Sequence, residues 1–185
     1  MPIQDAYIRS VLEREEGKAI TKGYIPRRNG KILGRSGVTI GTGVDLGQQT
    51  SDGLLAMGVP PSIVDKLMPY IGKQKERAAQ ALSTHPLELT LADVTLLDAA
   101  VAASYISATE RRFNSRTNHK FSDRPKEIQA VAVSLEYQLG PKGASEFMDP
   151  IVMGDYPEAA RRLRAAKNYT TRRNREANLV AKAMQ

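Results

Sequence analysis

The sequence predicts an α+β fold, in which a small antiparallel sheet near the N terminus is followed by a mainly helical remainder. Three observations support this prediction. Residues 4–16 have the apolar spacing of an amphipathic helix, residues 20–47 contain seven glycines and no helical period, and the helical period returns from about residue 50 onward. The chain has 185 residues, which is enough for one domain with a substantial core.

The first predicted helix covers residues 4–16. Tyr7, Ile8, Val11 and Leu12 fall on one face at three- and four-residue spacing, and Gly17 is a typical C-terminal stop. This face is therefore expected to pack into the core.

The glycine-rich segment is predicted to form short antiparallel strands. Asn29-Gly30 is a hairpin signal, because both residues tolerate the left-handed backbone that tight turns need. The last of these strands is expected around residues 37–41.

The remainder of the chain is predicted to be helical. Further helices are expected over 60–70, 73–83, 90–113, 124–138, 143–148, 156–166 and 171–184, with a break at Gly140-Pro141. The segment 90–113 is apolar nearly all round, so it is predicted to lie in the middle of the core.

The charge of the chain is concentrated at its C terminus. The formal net charge is +7, from 27 basic and 20 acidic residues, and residues 1–160 are balanced. This excess fits either a solvated helix face or a surface that meets a polyanion, and both interpretations stay open. The last 25 residues hold one acid, Glu176, and eight basic residues: Arg161, Arg162, Arg164, Lys167, Arg172, Arg173, Arg175 and Lys182.

Composition excludes several kinds of chemistry. The chain has no cysteine, which rules out a disulfide framework, a thiolate zinc site, an iron–sulfur cluster and a cysteine nucleophile. Its two histidines lie far apart in the sequence and do not suggest a metal site. We therefore expect no cofactor and no metal.

Two adjacent carboxylates end the first predicted helix. At about 100° per residue, Glu15 lies near the centre of the apolar face and Glu16 at its edge. Burial at such a position favours the protonated carboxyl, which suits a group that donates a proton near neutral pH. The alternative is a solvated helix end.

A second candidate segment is GRSGVTIGTGVDLG, residues 34–47. Its small residues leave the backbone open to a ligand, and Thr39, Thr42 and Asp45 place polar groups on the same stretch. The segment lacks the ending of a phosphate-binding loop and the context of a dinucleotide fingerprint. The alternative is a tight hairpin whose polar groups bond locally.

Together these elements resemble the phage-type lysozymes, which are muramidases that cleave peptidoglycan. The resemblance rests on Glu16-Gly17 followed by Thr39-Ile40-Gly41-Thr42-Gly43. Residues 17–38 contain no acid, and Val44 stands where that family has a histidine. Asp45 instead follows Thr39 by six residues, an arrangement similar to the pesticin-type branch, where catalytic Glu, Thr and Asp come in this order.

The resemblance continues downstream. The segment EYQLG at residues 136–140 is similar to the family's substrate-cleft helix, which implies that Gln138 contacts sugar. Tyr137 and Thr42 are further candidate substrate-binding residues, although an aromatic such as Tyr137 is more typical of the core. The late segment 169–179 resembles the region that supplies an arginine to the catalytic Glu, and the options here are Arg172, Arg173 and Arg175.

The resemblance implies a single lysozyme-like domain over residues 1–185. A small β-containing lobe, about 17–55, would pack on a helical lobe formed by 1–16 and 56–185. The implied activity is hydrolysis of the β-1,4 bond between N-acetylmuramic acid and N-acetylglucosamine, with an inverting outcome. Glu16 would be the general acid, and Asp45 and Thr39 would position a water.

The expected partner is bacterial peptidoglycan, and anionic envelope lipids are a second candidate for the basic C-terminal region. Neutralising Arg161, Arg162 and Arg164 is predicted to weaken wall binding. We favour a monomeric phage endolysin, made in the host cytoplasm and reaching periplasmic peptidoglycan through a holin. The alternatives are a bacteriocin or effector toxin with this fold, an inactive lysozyme fold, and a basic nucleic-acid-binding protein. The last lacks interleaved aromatics and a groove-reading motif.

Overall fold

Helices dominate the computed structural model, which describes residues 3–17 and 19–185. The α+β class predicted from the sequence is confirmed. In the described part of the chain the strands are β1 (Ile20–Tyr24), β2 (Arg27–Arg28), β3 (Lys31–Ile32), β4 (Thr39–Gly41) and β5 (Val44–Asp45). The helices are α1 (Asp5–Glu16), α2 (Ser51–Ala56), α3 (Pro61–Leu67), α4 (Lys75–Thr84), α5 (Leu91–Asn114), α6 (Lys126–Met153), α7 (Tyr156–Ala165) and α8 (Thr170–Lys182).

The chain divides into two compact units. One joins the chain up to Glu15 with Tyr105–Gln185, and the other spans Glu16–Ser104. The sequence predicted a smaller β-containing lobe, over about 17–55. The unit reaches Ser104 because α2, α3, α4 and the first half of α5 belong to it.

The sheet of the Glu16–Ser104 unit has three antiparallel strands in the order β1-β4-β5. Tyr24 pairs with Thr39, and Thr39 pairs with Asp45, so one row of residues crosses all three strands. A separate hairpin joins β2 to β3. Its turn is the predicted Asn29-Gly30, and both residues have positive φ, 51° and 76°, as such a turn requires.

The core of this unit is formed by one face of the sheet and by the helices that follow it. Ile40 is fully buried and follows Thr39 on β4, so its side chain points to the opposite face of the sheet from that of Thr39. The apolar side chains that accompany it at or near zero exposure are Val38, Leu46, Leu54, Ile63, Leu67, Val94 and Leu97.

The most buried helix in the structure is α6. Every residue from 127 to 136 is buried in the unit that contains it. The sequence had assigned the central position to segment 90–113, and this prediction is wrong in detail. Helix α5 buries only a stripe, while Leu91 and Leu96 on its other faces are at least half exposed. Its length and hydropathy would suffice for a membrane span, but the charged end of this helix, residues 110–112, and its buried stripe fit a helix of a folded domain.

Helix α6 is broken where the sequence predicted it. Gly140 has φ 68° and ψ 166°, a conformation outside the helical region, and Pro141 follows it without an N–H to donate. The second half of the helix runs to Met153, beyond the predicted residue 148, and ends at Gly154 in the left-handed conformation.

Candidate active site

Glu16, Thr39 and Asp45, the three predicted catalytic residues, all belong to the Glu16–Ser104 unit. Thr39 lies on β4 and Asp45 on β5, and the two are direct partners in the antiparallel pair. Partners of this kind point to the same face, with Cβ atoms about 4.5–5.5 Å apart. The strand register therefore places the Thr39 hydroxyl beside the Asp45 carboxylate.

Glu16 ends α1 and reaches the turn between β4 and β5. A Cβ atom added to Gly43 in that turn would lie 3.5 Å from Glu16 Oε2. Gly43 also has φ +89°, which disfavours any side chain there. The structure thus brings the Glu16 carboxylate against the turn whose two flanking strands carry Thr39 and Asp45.

The Asp45 carboxylate is fixed by two backbone donors. Its Oδ1 accepts hydrogen bonds from the backbone N–H of Gly37 and of Gly47, each at 2.9 Å. These two glycines pack so closely that a Cβ on either would collide with the backbone of the other. Gly37 and Gly47 therefore hold the Asp45 carboxylate in one orientation.

Thr39 is 4% exposed, and its hydroxyl is weakly engaged. Its Oγ1 donates to the carbonyl of Gly37 at 3.5 Å, which is at the outer limit of a hydrogen bond. If this segment were only a tight hairpin, its polar side chains would hydrogen-bond to the nearby backbone. Asp45 forms strong bonds of this kind, whereas the bond of Thr39 is weak.

Tyr24 belongs to the same row, and the sequence analysis missed it. It is the β1 partner of Thr39 and keeps 37% of its surface exposed. Burial raises the pKa of its phenol above the usual value, and the negative charges of Glu16 and then Asp45 raise it further. The phenol therefore lies close enough to both candidate carboxylates to be affected by their charge. The sequence does not show this proximity, because it depends on the pairing of β1 with β4.

Asp98 is a third carboxylate at this hairpin and was also missed. Both of its oxygens accept from the backbone N–H of Thr42, at 3.1 Å each. A Cβ on Gly41, whose φ is +65°, would collide with Asp98 Oδ1. Asp98 lies on α5, 56 residues from Thr42, so no local signal could have identified it.

Gln138 and Tyr137 lie in the other unit, on α6. The Gln138 side-chain oxygen accepts from Arg173, and the Tyr137 ring packs against that of Tyr105, with centroids 4.7 Å apart. The Arg173 guanidinium also lies over the ring of Phe147, 5.6 Å from its centroid. Tyr137 is half-buried and anchored by an aromatic partner, and its part in substrate binding stays a prediction.

The three candidate arginines have carboxylate partners within their own unit. Arg172 and Arg173 are buried and pair with the buried Glu176, which also accepts from Ser134 Oγ at 2.6 Å. Burial raises the pKa of Glu176 and lowers that of Arg173, while the attraction between the two charges opposes both shifts. The predicted pairing of one of these arginines with Glu16 stays a prediction.

Glu15 is the partner of Arg175. Its side chain has no exposed surface, and its two oxygens accept from the Arg175 guanidinium at 2.7–3.0 Å. The helical periodicity of the sequence predicted that Glu15 lies on the apolar face of α1, and the burial of its side chain agrees with this. The bidentate pair links α1 to α8 through Glu15 and Arg175, so we interpret Glu15 as a structural residue.

Much of the positive charge of the C-terminal region is neutralised by nearby carboxylates. Six of its eight basic residues pair with carboxylates, and for the other two, Arg164 and Lys167, no ion pair is found among residues 3–17 and 19–185. The pairs are Arg161 and Arg162 with Glu158, Arg172 and Arg173 with Glu176, Arg175 with Glu15, and Lys182 with Glu127.

Glu136, in the EYQLG segment, is a further buried carboxylate. It is 3% exposed, accepts from Thr109 Oγ1 at 2.7 Å and pairs with Arg112. Within residues 3–17 and 19–185 there is no group of three or more His, Cys, Asp or Glu side chains placed to hold a metal ion.

The α+β fold, with Glu16 and Asp45 at the β4–β5 hairpin, is of the lysozyme-like class. Residues 8–157 match the family described as Pesticin, a bacterial toxin homologue of phage lysozyme, C-terminal part. This match covers well over half of the chain, so the chain belongs to the pesticin family, as the sequence resemblance predicted. A search against curated proteins gives no significant match. Membership of this lysozyme-like family supports a glycoside hydrolase, with peptidoglycan as the implied substrate.

Proposed function

We propose that the protein is a muramidase that hydrolyses the β-1,4 bond between N-acetylmuramic acid and N-acetylglucosamine. The observation that carries this proposal is the β4–β5 hairpin. It pairs Thr39 with Asp45 and holds its turn against the Glu16 carboxylate. Cleavage of a glycosidic bond needs a proton for the leaving oxygen and a second group for the oxocarbenium-like centre, and this hairpin supplies candidates for both.

We assign the general acid to Glu16. Its carboxyl group is partly buried at the end of α1 and lies beside Gly43, where the absence of a side chain leaves room for a sugar ring. In the proposed step, the Glu16 proton passes to the glycosidic oxygen as the bond to the anomeric carbon breaks. Glu15 is excluded from this part, because Arg175 holds both of its oxygens.

We assign the water to Asp45 and Thr39. Asp45 Oδ1 is occupied by two backbone donors, so Oδ2 is the oxygen that we assign to the water. The weakly engaged Thr39 hydroxyl is the second holder of that water. The water attacks the anomeric carbon from the face opposite to the leaving group and gives its proton to Asp45, which inverts the configuration.

Sugar contacts are assigned to Gln138 and Thr42. The side-chain oxygen of Gln138 is held by Arg173, which leaves its amide N–H groups to donate to a sugar oxygen. Asp98 fixes the Thr42 backbone, so the Thr42 side chain projects from a rigid turn. Tyr137, the neighbour of Gln138 on α6, is held by its ring contact with Tyr105.

For the biological role we propose an endolysin that lyses a phage host, reaching the periplasmic peptidoglycan through a holin and acting as a monomer. The description of the family as a bacterial toxin homologue supports the alternative of a bacteriocin or effector toxin with the same chemistry. The two roles differ in the direction of attack. Expression inside a host together with a holin should lyse it under the first role, and external addition should kill sensitive cells under the second.

Mass spectrometry and NMR of the products test the proposed bond and outcome. Digestion of purified peptidoglycan should yield fragments with N-acetylmuramic acid at the reducing end, and the anomer first observed by NMR should be α. Reducing ends of N-acetylglucosamine, or an initial β-anomer, would contradict the assignment of bond or mechanism. Asp45→Asn should abolish product formation, whereas a gel shift of nucleic acid without sugar release would favour the rival function.

A further inference from the structure

A second surface of the Glu16–Ser104 unit has no part in the mechanism above. The β2–β3 hairpin and the start of α4 enclose a groove of about 490 Å³. The charged side chains that line it are Arg27, Lys31, Lys75 and Glu76, all of them exposed. It therefore presents three cations and one carboxylate to solvent.

The cations of this groove differ from those of the C-terminal region. In the described part of the chain, Arg27, Lys31 and Lys75 form no ion pair, whereas six of the eight C-terminal basic residues do. The segment 17–38, which includes the hairpin, has six basic residues and no acid. The groove thus carries three cations that no ion pair among the described residues neutralises.

Hydrogen bonds connect the groove to the strand that carries Asp45. The Lys75 backbone N–H donates to the Ser36 carbonyl at 2.9 Å, and the next residue, Gly37, donates to Asp45. On the other side, Gln74 accepts from Arg35 at 3.0 Å and donates to the Gly47 carbonyl at 2.9 Å. Gly47 in turn donates to Asp45. The groove wall and the Asp45 carboxylate therefore belong to one bonded framework.

We propose that this groove binds the carboxylates of the peptide stems of peptidoglycan while the glycan occupies the Glu16–Asp45 site. The proposal rests on the function proposed above. The sugar backbone of the substrate is neutral, and its negative charge lies on the short peptides attached to alternate sugars. A cationic groove framed together with the site meets those peptides, and Arg27 can take a carboxylate in a bidentate pair.

The proposal moves the expected wall contact away from the C terminus. The sequence analysis predicted that neutralising Arg161, Arg162 and Arg164 would weaken wall binding. Two of these side chains already pair with Glu158, so their replacement frees a carboxylate as it removes a cation. Replacement of the groove residues removes charge that no carboxylate balances.

Binding to purified, phosphate-free peptidoglycan tests the proposal, with Glu16→Gln as the parent so that the polymer is not cleaved. The variant Arg27→Gln/Lys31→Gln/Lys75→Gln should bind intact polymer about tenfold more weakly than the parent at low salt, since each exposed pair contributes modestly. Its binding should also depend less on salt. The matched control Arg161→Gln/Arg164→Gln/Lys167→Gln should bind like the parent. Glu76→Gln, which removes the one carboxylate of the groove, should bind more tightly.

The decisive arm uses polymer from which an amidase has removed the stems, after which the lactyl carboxylates freed by this cleavage are converted to methyl amides so that the glycan is neutral. The parent and the groove variant should bind this glycan equally. The proposal is overturned if the groove variant binds intact polymer like the parent, or if stem removal does not weaken the parent. It is also overturned if only polymer that retains wall phosphate reveals a difference. Sugar release by the unmodified protein from both polymers is measured separately, because its absence would refute the proposed function and not the groove.

Discussion

The buried ion-pair network on α8 gives a prediction whose size follows from its burial. Glu176 has no exposed surface, and the side chains of Arg172 and Arg173 are 8% and 1% exposed. Ser134 donates to the Glu176 carboxylate and accepts from Arg172. Glu176→Gln keeps the shape of the side chain and removes its charge, so that two buried arginines lose their counter-charge.

Removal of one member of a buried ion pair costs roughly 3–5 kcal/mol, because the remaining charge stays desolvated. For a chain of this size, each kcal/mol corresponds to about 2–4 °C in melting temperature. We therefore expect Glu176→Gln to melt roughly 6–20 °C below the unmodified protein. Thermal unfolding followed by circular dichroism measures this shift, and the midpoint of urea unfolding gives the free-energy change independently.

The chain provides a matched control in Glu158, which also pairs with two arginines, Arg161 and Arg162, one helical turn away. Hydrogen bonds from these arginines lower the pKa of Glu158 to about 2. Because the folded pKa is lowered, the pairs stabilise the protein above the usual carboxyl range, and this contribution is lost as the pH falls towards 2. Solvent screens these surface pairs and makes their contribution at pH 7 small, so Glu158→Gln should lower the melting temperature only slightly, far less than Glu176→Gln. Equal melting losses in the two variants, or no loss in Glu176→Gln, would refute the argument from burial.

Two further predictions concern the hairpin. The phenol pKa of Tyr24 should fall in Glu16→Gln and in Asp45→Asn, because each change removes a negative charge that raises this pKa. Fluorotyrosine at position 24, titrated by ¹⁹F NMR, measures the shift. An unchanged pKa in both variants would show that these carboxylates do not lie near the phenol. Gly41→Ala should cost about 2–4 kcal/mol, from its left-handed backbone and its collision with Asp98. Adding Asp98→Ala should return the collision part of that cost in a double-mutant cycle by urea unfolding, and strict additivity would contradict the contact.

Local features of the fold followed directly from the sequence. The Asn29-Gly30 turn and the break at Gly140 depend on backbone conformations that only a few residue types adopt, so they are visible in the residues themselves. The order and spacing of Glu16, Thr39 and Asp45 were readable from the sequence, and the β4–β5 register and the approach of Glu16 to Gly43 agree with their grouping, while their catalytic parts stay a prediction.

Features that depend on distant pairing did not follow. Tyr24 and Asp98 reach the hairpin through strand pairing and through a contact across 56 residues, neither of which has a local signal. The C-terminal charge was counted correctly, but the partners of its arginines depend on tertiary packing. Apolar composition placed segment 90–113 at the centre of the core, whereas actual burial favours α6 because α5 presents only a stripe to its neighbours.

The measurement that tests the account most directly is the release of reducing sugar from purified peptidoglycan by Glu16→Gln. Loss of a general acid should lower the rate by at least about 100-fold, with an unchanged circular dichroism spectrum. The control is Glu13→Gln, which alters an exposed carboxylate on the same helix and should keep the rate of the unmodified protein. A folded Glu16→Gln protein that releases sugar at the unmodified rate would contradict the assignment of Glu16 as the proton donor.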